Sequence, residues 1–152
     1  MSNAANNNIE AILIALKSEK KAIEYYSRAA RRIVNPKGKE ALEKILKEEK
    51  KHFDQLKRIY KHTTHRDLKE HELEHVGATL SPLTEEHLAD KEASDLEVCQ
   101  IALKDEVDAR AFYLSAAESA ADETTKQTFL DLAREEESHS HSITRICKIL
   151  AG

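Results

Sequence analysis

A chain of 152 residues, with 34% charged side chains of mixed sign, three Gly, two Pro and no Trp, has the makings of one domain with few turns, which argues against a sheet protein. Its formal net charge of −4 gives no electrostatic reason to expect nucleic acid or an anionic membrane as a partner. No apolar run approaches the roughly 18 residues that would span a bilayer and no signal peptide is visible, so the cytoplasm is the expected compartment.

Met1-Ser2-Asn3-Ala4 reads as an expression scar followed by an Asn run. Residues 1–8 are therefore expected as a disordered tail ahead of a single domain over 9–152. Helix A is expected from about Asn8, a suitable N-cap, to about Val34, with Ile12, Leu16, Ile23 and Tyr26 at helical spacings and Glu19 among them. Asn35-Pro36 reads as a stop and restart. Helix B then runs from about Lys39 to about His62, with Leu42, Ile45, Leu46, Phe53, Leu56 and Ile59 inward. A crossover of about 63–93 follows, long enough to travel the length of a bundle and set helix C parallel to B. Within it Arg66 to Val76 suggests a short helix ended by Ser81-Pro82. Helix C opens on a capping box, Ser94-Asp95-Leu96-Glu97, and continues to about Ala120. Helix D starts near Asp122 or Thr124 and runs to Leu150, using Phe129, Leu132, Ile143 and Ile146.

Glu49-x-x-His52 recurs 87 positions later as Glu136-x-x-His139, and each pair has a Glu 30 positions upstream, Glu19 and Glu106. The same shift pairs Ile14-Ala15-Leu16-Lys17 with Ile101-Ala102-Leu103-Lys104, and Tyr26 with Tyr113. Such a repeat implies two helical hairpins about a pseudo-two-fold axis, packed face to face because neither can bury its apolar stripe alone. Glu19 and Glu49 are equidistant from Val34, and Glu106 and Glu136 from Ala121. In antiparallel hairpins both pairs therefore meet level, about 22 Å from their turns. Glu and His at i and i+3 point into one cavity, so the set delivers four carboxylates and two imidazoles, balanced by two divalent cations. Without metal those carboxylates would repel and lose solvation. Oxygen-rich ligation with one imidazole per ion suits iron or manganese, with zinc possible.

Around this set, Tyr26 and Tyr113 lie on the same faces two turns on, placed either to hydrogen-bond the bridging carboxylates or to fill the core. Glu48, Glu135 and Glu137 point 100° away and should face water. His62, His65, His71, His75 and His87 enrich the crossover and read as an exposed connection, although His71 and His75 have the i, i+4 spacing of a surface metal clip. Cys99 and Cys147, 48 residues apart among apolar neighbours and without a C-x-x-C partner, read as reduced core thiols rather than a redox pair.

Leu16-Lys17-Ser18-Glu19, Glu48-Glu49-Lys50-Lys51-His52, Leu103-Lys104-Asp105-Glu106 with Phe112-Tyr113, and Glu135-Glu136-Glu137-Ser138-His139 together resemble a rubrerythrin-type member of the ferritin-like di-iron proteins. The resemblance spans the four helices and not the crossover. It implies an all-α, ferritin-like four-helix bundle of two antiparallel hairpins joined by a long crossover. It further implies two iron ions held by Glu19, Glu49, His52, Glu106, Glu136 and His139, with Glu49 and Glu136 bridging. The implied activity is that of a non-haem di-iron peroxidase or oxidase, reducing hydrogen peroxide or oxygen under oxidative stress. Two departures bear on it. Ala109 stands where efficient peroxidases of the family carry an extra carboxylate, and no paired C-x-x-C of a rubredoxin domain is present up to Gly152. Electrons are then expected from a separate donor such as a rubredoxin-like protein, and a homodimer is expected. Ferroxidase or iron-storage activity and a redox-silent metal-binding bundle stay open as alternatives, though Met1 as the sole Met excludes a Met-ligated haem between subunits.

Overall fold

A computed structural model describes residues 3–77 and 94–152. Four long helices build it: α1 (Asn3–Arg32), α2 (Pro36–Thr64), α3 (Asp95–Glu118) and α4 (Glu123–Ala151). A short 3-10 turn, Glu70–His75, lies in the described part of the crossover. None of these helices is long and apolar enough to cross a membrane.

Local chemistry sets the helix ends. Asn35 caps α2 by accepting from the Gly38 N–H at 3.0 Å, and Pro36 occupies the first turn, where its missing N–H costs nothing. At Gly38 a Cβ would come within 2.7 Å of Ile33 Cδ1, so a larger residue there requires the Ile33 side chain to shift. His65 ends α2 in the left-handed region, φ 59°, with its N–H on the Lys61 carbonyl. The capping box forms at α3, Ser94 N–H donating to Glu97 at 2.9 Å and Glu97 N–H to Ser94 Oγ at 3.1 Å. Asp122 caps α4 through the Thr125 N–H at 2.8 Å.

The topology follows from which ends touch. The backbone N–H groups of Val34 and Asn35, in the first turn, donate to Asp95 at the start of α3 at 3.0 and 3.1 Å. At the opposite end His62 of α2 lies 3.7 Å from Asp122 in the second turn. Helix α3 is thus parallel to α2 and antiparallel to α1, as the crossover length required. Two apolar cores result. One gathers Leu16, Leu56, Tyr60, Tyr113, Phe129 and Leu132; the other gathers Tyr26, Leu42, Ile45, Val98 and Ile143. Every helix passes from one core to the other through a band that holds Glu19, Glu49, His52, Glu106, Glu136 and His139. At about 1.5–3 kcal/mol per buried large apolar side chain, these cores offset the cost of burying that polar band.

Three expectations need correction. Helix α1 begins at Asn3 rather than Asn8, so residues 3–8 are helical and Asn8 is buried. Ala5 is a strong helix former, Asn costs only a few tenths of a kcal/mol per residue, and Ile9 and Leu13 anchor the turn to the core. Cys99 and Cys147 are joined in a disulfide, with Cα atoms 5.7 Å apart. Their midpoint falls at residue 123, beside the α3–α4 turn, so an antiparallel hairpin must bring them level. Finally, the short helix of the crossover spans Glu70–His75 rather than Arg66 to Val76, and its winding is 3-10, so His71 and His75 stand about 120° apart rather than on one face. Both are exposed, and among the described residues no metal-ligating group includes them. Ser81-Pro82 and His87 lie outside the described residues.

Candidate metal centre

Glu19 on α1, Glu49 and His52 on α2, Glu106 on α3, and Glu136 and His139 on α4 are all at most 3% exposed. They form two overlapping quartets: Glu19, Glu49, His52 and Glu136, and Glu49, Glu106, Glu136 and His139. Within each quartet one ligand atom per residue lies within 4.8 Å of the others. Glu49 and Glu136 belong to both. His52 Nδ1 lies 2.8 Å from Glu136 Oε1, 3.6 Å from Glu19 Oε1 and 3.7 Å from Glu49 Oε2. His139 Nδ1 mirrors this, 2.9 Å from Glu49 Oε1, 3.4 Å from Glu106 Oε2 and 3.9 Å from Glu136 Oε2. The two imidazoles stack at 5.4 Å, 17° from parallel.

These approaches do not close as well-formed hydrogen bonds. Glu19 Oε2, Glu49 Oε1, Glu106 Oε2, Glu136 Oε1 and both imidazole Nδ1 atoms are buried without a hydrogen-bond partner. Orphaned buried polar atoms are costly, about 1–3 kcal/mol each. Here all of them converge on two points, which is the pattern of lone pairs aimed at cations rather than at one another. The donor set, three carboxylates and one imidazole per point, fits divalent iron or manganese, and zinc less selectively.

Electrostatics show how the metal-free cluster neutralises itself. Burial, then the Glu49 charge, raises Glu19 to about 8. Burial and the Glu106 and Glu49 charges push Glu136 well above the ordinary carboxyl range. Burial and Glu106 also act to raise Glu49, but the close approach of Glu19, His139 and His52 outweighs them and holds it low. Burial disfavours both imidazolium ions, yet the adjoining carboxylates win: Glu135 and Glu136 raise His52, and Glu106 and Glu49 bring His139 up to about 10. Protons thus stand where cations would. A further carboxyl that sequence reasoning passed over, Asp105 beside Glu106, is also buried, and burial raises it strongly.

The surroundings differ from expectation in two respects. Glu48 and Glu135 do not simply face water: Glu48 Oε2 meets His139 Nε2, and Glu135 Oε2 meets His52 Nε2. Helices α2 and α4 pack together, so the residue before each shared Glu reaches the opposite helix while part of its side chain still meets solvent. The doublets Glu48-Glu49 and Glu135-Glu136 were the available signal, since a metal-bound imidazole commonly gives its other N–H to a carboxylate. Glu137 is half exposed as expected, 3.8 Å from Arg110. The tyrosines do bond carboxylates, but not the shared pair. Tyr26 donates to Glu106 Oε1 at 2.5 Å and Tyr113 to Glu19 Oε1 at 2.6 Å. Each ring leans across to the other hairpin, because α1 and α3 run side by side in opposite directions.

Two inverted helical hairpins enclosing a doubled Glu/His cluster define an all-α bundle of the ferritin-like class with a candidate metal site at its centre. The rubrerythrin family model matches residues 2–60 and 97–151, and the chain belongs to that family. It is also similar to the solved structure of a hypothetical protein from Pyrococcus furiosus, at 25% identity and a TM-score of 0.74 over 95% of this chain and 90% of that one. No curated protein matches the chain.

Proposed function

We propose that the chain is a di-iron carboxylate protein, an oxidoreductase that reduces hydrogen peroxide or oxygen at a bridged dimetal centre. The observation that carries this reading is the pair of overlapping buried quartets sharing Glu49 and Glu136. In it, Glu19, Glu49, His52 and Glu136 hold one ion, Glu49, Glu106, Glu136 and His139 the other, and the two shared carboxylates bridge. Two irons bound there would supply two electrons to an oxidant together with open coordination positions. The protein's own groups set the donors. Glu48 bonds His139 Nε2 and Glu135 lies against His52 Nε2, which would leave each Nδ1 lone pair facing the centre, while Tyr26 and Tyr113 fix one oxygen of Glu106 and Glu19. The cytoplasm as the compartment, a homodimer as the assembly and a separate rubredoxin-like protein as the electron donor complete the proposal.

Elemental analysis of the parent beside Glu49→Ala tests it. Two irons per chain, lost in the variant, are expected, followed by faster oxidation of the reduced protein by peroxide than by oxygen. Little metal, or the same metal in both proteins, would overturn the reading. Mineral formation inside a large hollow oligomer would replace it with ferroxidase or iron storage, and metal inert to both oxidants with a redox-silent metal-binding bundle.

A further inference from the structure

Two grooves lie along the α2–α4 seam, and the internal repeat relates them. The first, about 250 Å³, is lined by Lys44, Ser138, Ser142 and Arg145. The second, about 360 Å³, is lined at the corresponding positions by Asp131, Gln55 and Arg58. A shift of 87 residues carries Lys44 onto Asp131, Ser138 onto Lys51, Ser142 onto Gln55 and Arg145 onto Arg58. The places are equivalent and the chemistry is not.

The differences act together. In the first groove the short Ser138 and Ser142 side chains leave the way open to His139 and Glu48, which form part of its lining. In the second the larger Gln55 stands at the place of Ser142, and the lining does not include His52 or Glu135. The first groove carries two cations, Lys44 and Arg145, against the Glu48 carboxylate already committed to His139. The second is lined by Asp131 together with Arg58 and His62. The remaining wall of the first groove is aliphatic, from Ala41, Ile45, Ile146 and the 48%-exposed Ile149. In the second, threonine replaces Ala41 and histidine replaces Ile149.

We infer that the groove over His139 is a binding site for a small organic carboxylate. Its aliphatic tail lies on Ile45, Ile146 and Ile149, and its carboxylate meets Lys44 and Arg145 with the two serine hydroxyls beside them. A planar guanidinium matches a carboxylate in geometry as well as charge, and the aliphatic wall distinguishes an organic acid from an inorganic anion. The ligand would lie against the Glu48–His139 pair and only at that end of the centre, so the two halves of the doubled site become inequivalent. The groove stands on its own lining; only its nearness to a reacting centre rests on the metal reading.

Hexanoate is the probe, titrated into the full-length protein, metal-free and again after zinc loading, with amide and imidazole NMR shifts as readout. Saturable shifts at Ser138, Ser142, Ile146 and the His139 ring, with Gln55, Arg58 and Thr128 unmoved, are expected. Arg145→Gln and Lys44→Gln should each weaken binding about tenfold, since each removes one charge-assisted contact. Ser142→Gln, which imports the residue of the other half on an unchanged helix, should abolish it. No saturation by about 10 mM, past the millimolar range of so small a ligand, would overturn the inference. Equal shifts in both grooves, or phosphate binding as tightly as hexanoate, would overturn it as well. Binding to metal-free protein upholds the groove even if no metal proves to load, which keeps its failure separate from failure of the metal reading.

Discussion

Replacing Tyr113 with Phe removes one oxygen from a fully buried ring and separates support of a ligand from space filling. The phenol donates to Glu19 Oε1 at 2.6 Å, while the ring lies against Phe129 at 6.1 Å, a contact the variant keeps. In the metal-free protein at pH 7 Glu19, raised to about 8, is mostly neutral. The bond then joins two uncharged groups and is worth about 0.5–1.5 kcal/mol. With a cation on the free Glu19 oxygen the carboxylate is an anion, and the same bond becomes charge-assisted at about 1.5–3 kcal/mol. The difference, about 1–1.5 kcal/mol, couples the tyrosine to the metal and corresponds to roughly five- to tenfold weaker binding in Tyr113→Phe. Urea denaturation of metal-free protein reads the first quantity, and competitive Zn(II) titration with a chromophoric chelator reads the second. The coupling should disappear in a Glu19→Gln background. Metal affinity within twofold of the parent, with stability lowered by about 1 kcal/mol, would show that the hydroxyl supports the fold and not the metal ligand. The Glu19 account would then be refuted.

Three other outcomes are expected. The metal-free protein should lose stability as pH rises from about 5 to about 10. Glu19 and His139, with folded values of about 8 and about 10, both lie above their unfolded values, so the folded state binds more protons across that window. Calorimetric melting points that rise over that range would contradict the assignment, and metal uptake at pH 7 should release protons into a weakly buffered solution. Glu136→Ala should lose most bound metal by elemental analysis yet keep its helical circular dichroism without metal, because it removes a carboxyl whose charge burial and the neighbouring Glu106 and Glu49 already disfavour; unfolding of metal-free Glu136→Ala where the metal-free parent stays folded would sink that account. Reducing the Cys99–Cys147 bridge, whose cysteines are 48 residues apart, should lower stability by up to about 4 kcal/mol in the chain-entropy treatment. Guanidinium unfolding with and without reductant measures this, and an unchanged midpoint would mean the bridge does not restrain the chain in solution.

The hairpins, the level pairing of Glu19 with Glu49 and of Glu106 with Glu136, and the inverted second hairpin were legible because a doubled motif carries its own ruler. Equal distance from a turn means equal height. Applied to Cys99 and Cys147, the same ruler places them level, whereas their apolar neighbours are equally those of packed, reduced thiols. Glu48 and Glu135 were harder to see. A position 100° from the buried face reads as solvent on an isolated helix, and only the close packing of α2 on α4 turns it toward the partner's imidazole. The aim of Tyr26 and Tyr113 was hidden for the same reason. Spacing along one helix says which face a ring occupies, whereas its acceptor belongs to a helix of the other hairpin. Residues 3–8 were misjudged because three consecutive Asn weaken a helix without stopping it, and Ile9 and Leu13 hold the turn from its far side.

The two halves of the chain agree where burial is complete and diverge where it is not. At the central band, removing one partner strands a buried charge at a cost of about 3–5 kcal/mol, so Glu19 and Glu106, Glu49 and Glu136, and His52 and His139 stay matched. One helical turn outward the same repeat sets Lys44 against Asp131 and Ser142 against Gln55, at positions where a substitution away from such features usually costs within about 0.5 kcal/mol. Stability therefore does not hold these positions alike, and they are where a symmetric scaffold can become asymmetric without endangering its core. The changes in the first groove are not scattered, however. Two small side chains, two cations and an aliphatic wall collect around one imidazole of the two. A pair of metals in matched ligand sets can differ in what reaches them only through such surroundings, so the His139 side is the end of the centre where selectivity for a small molecule would be built.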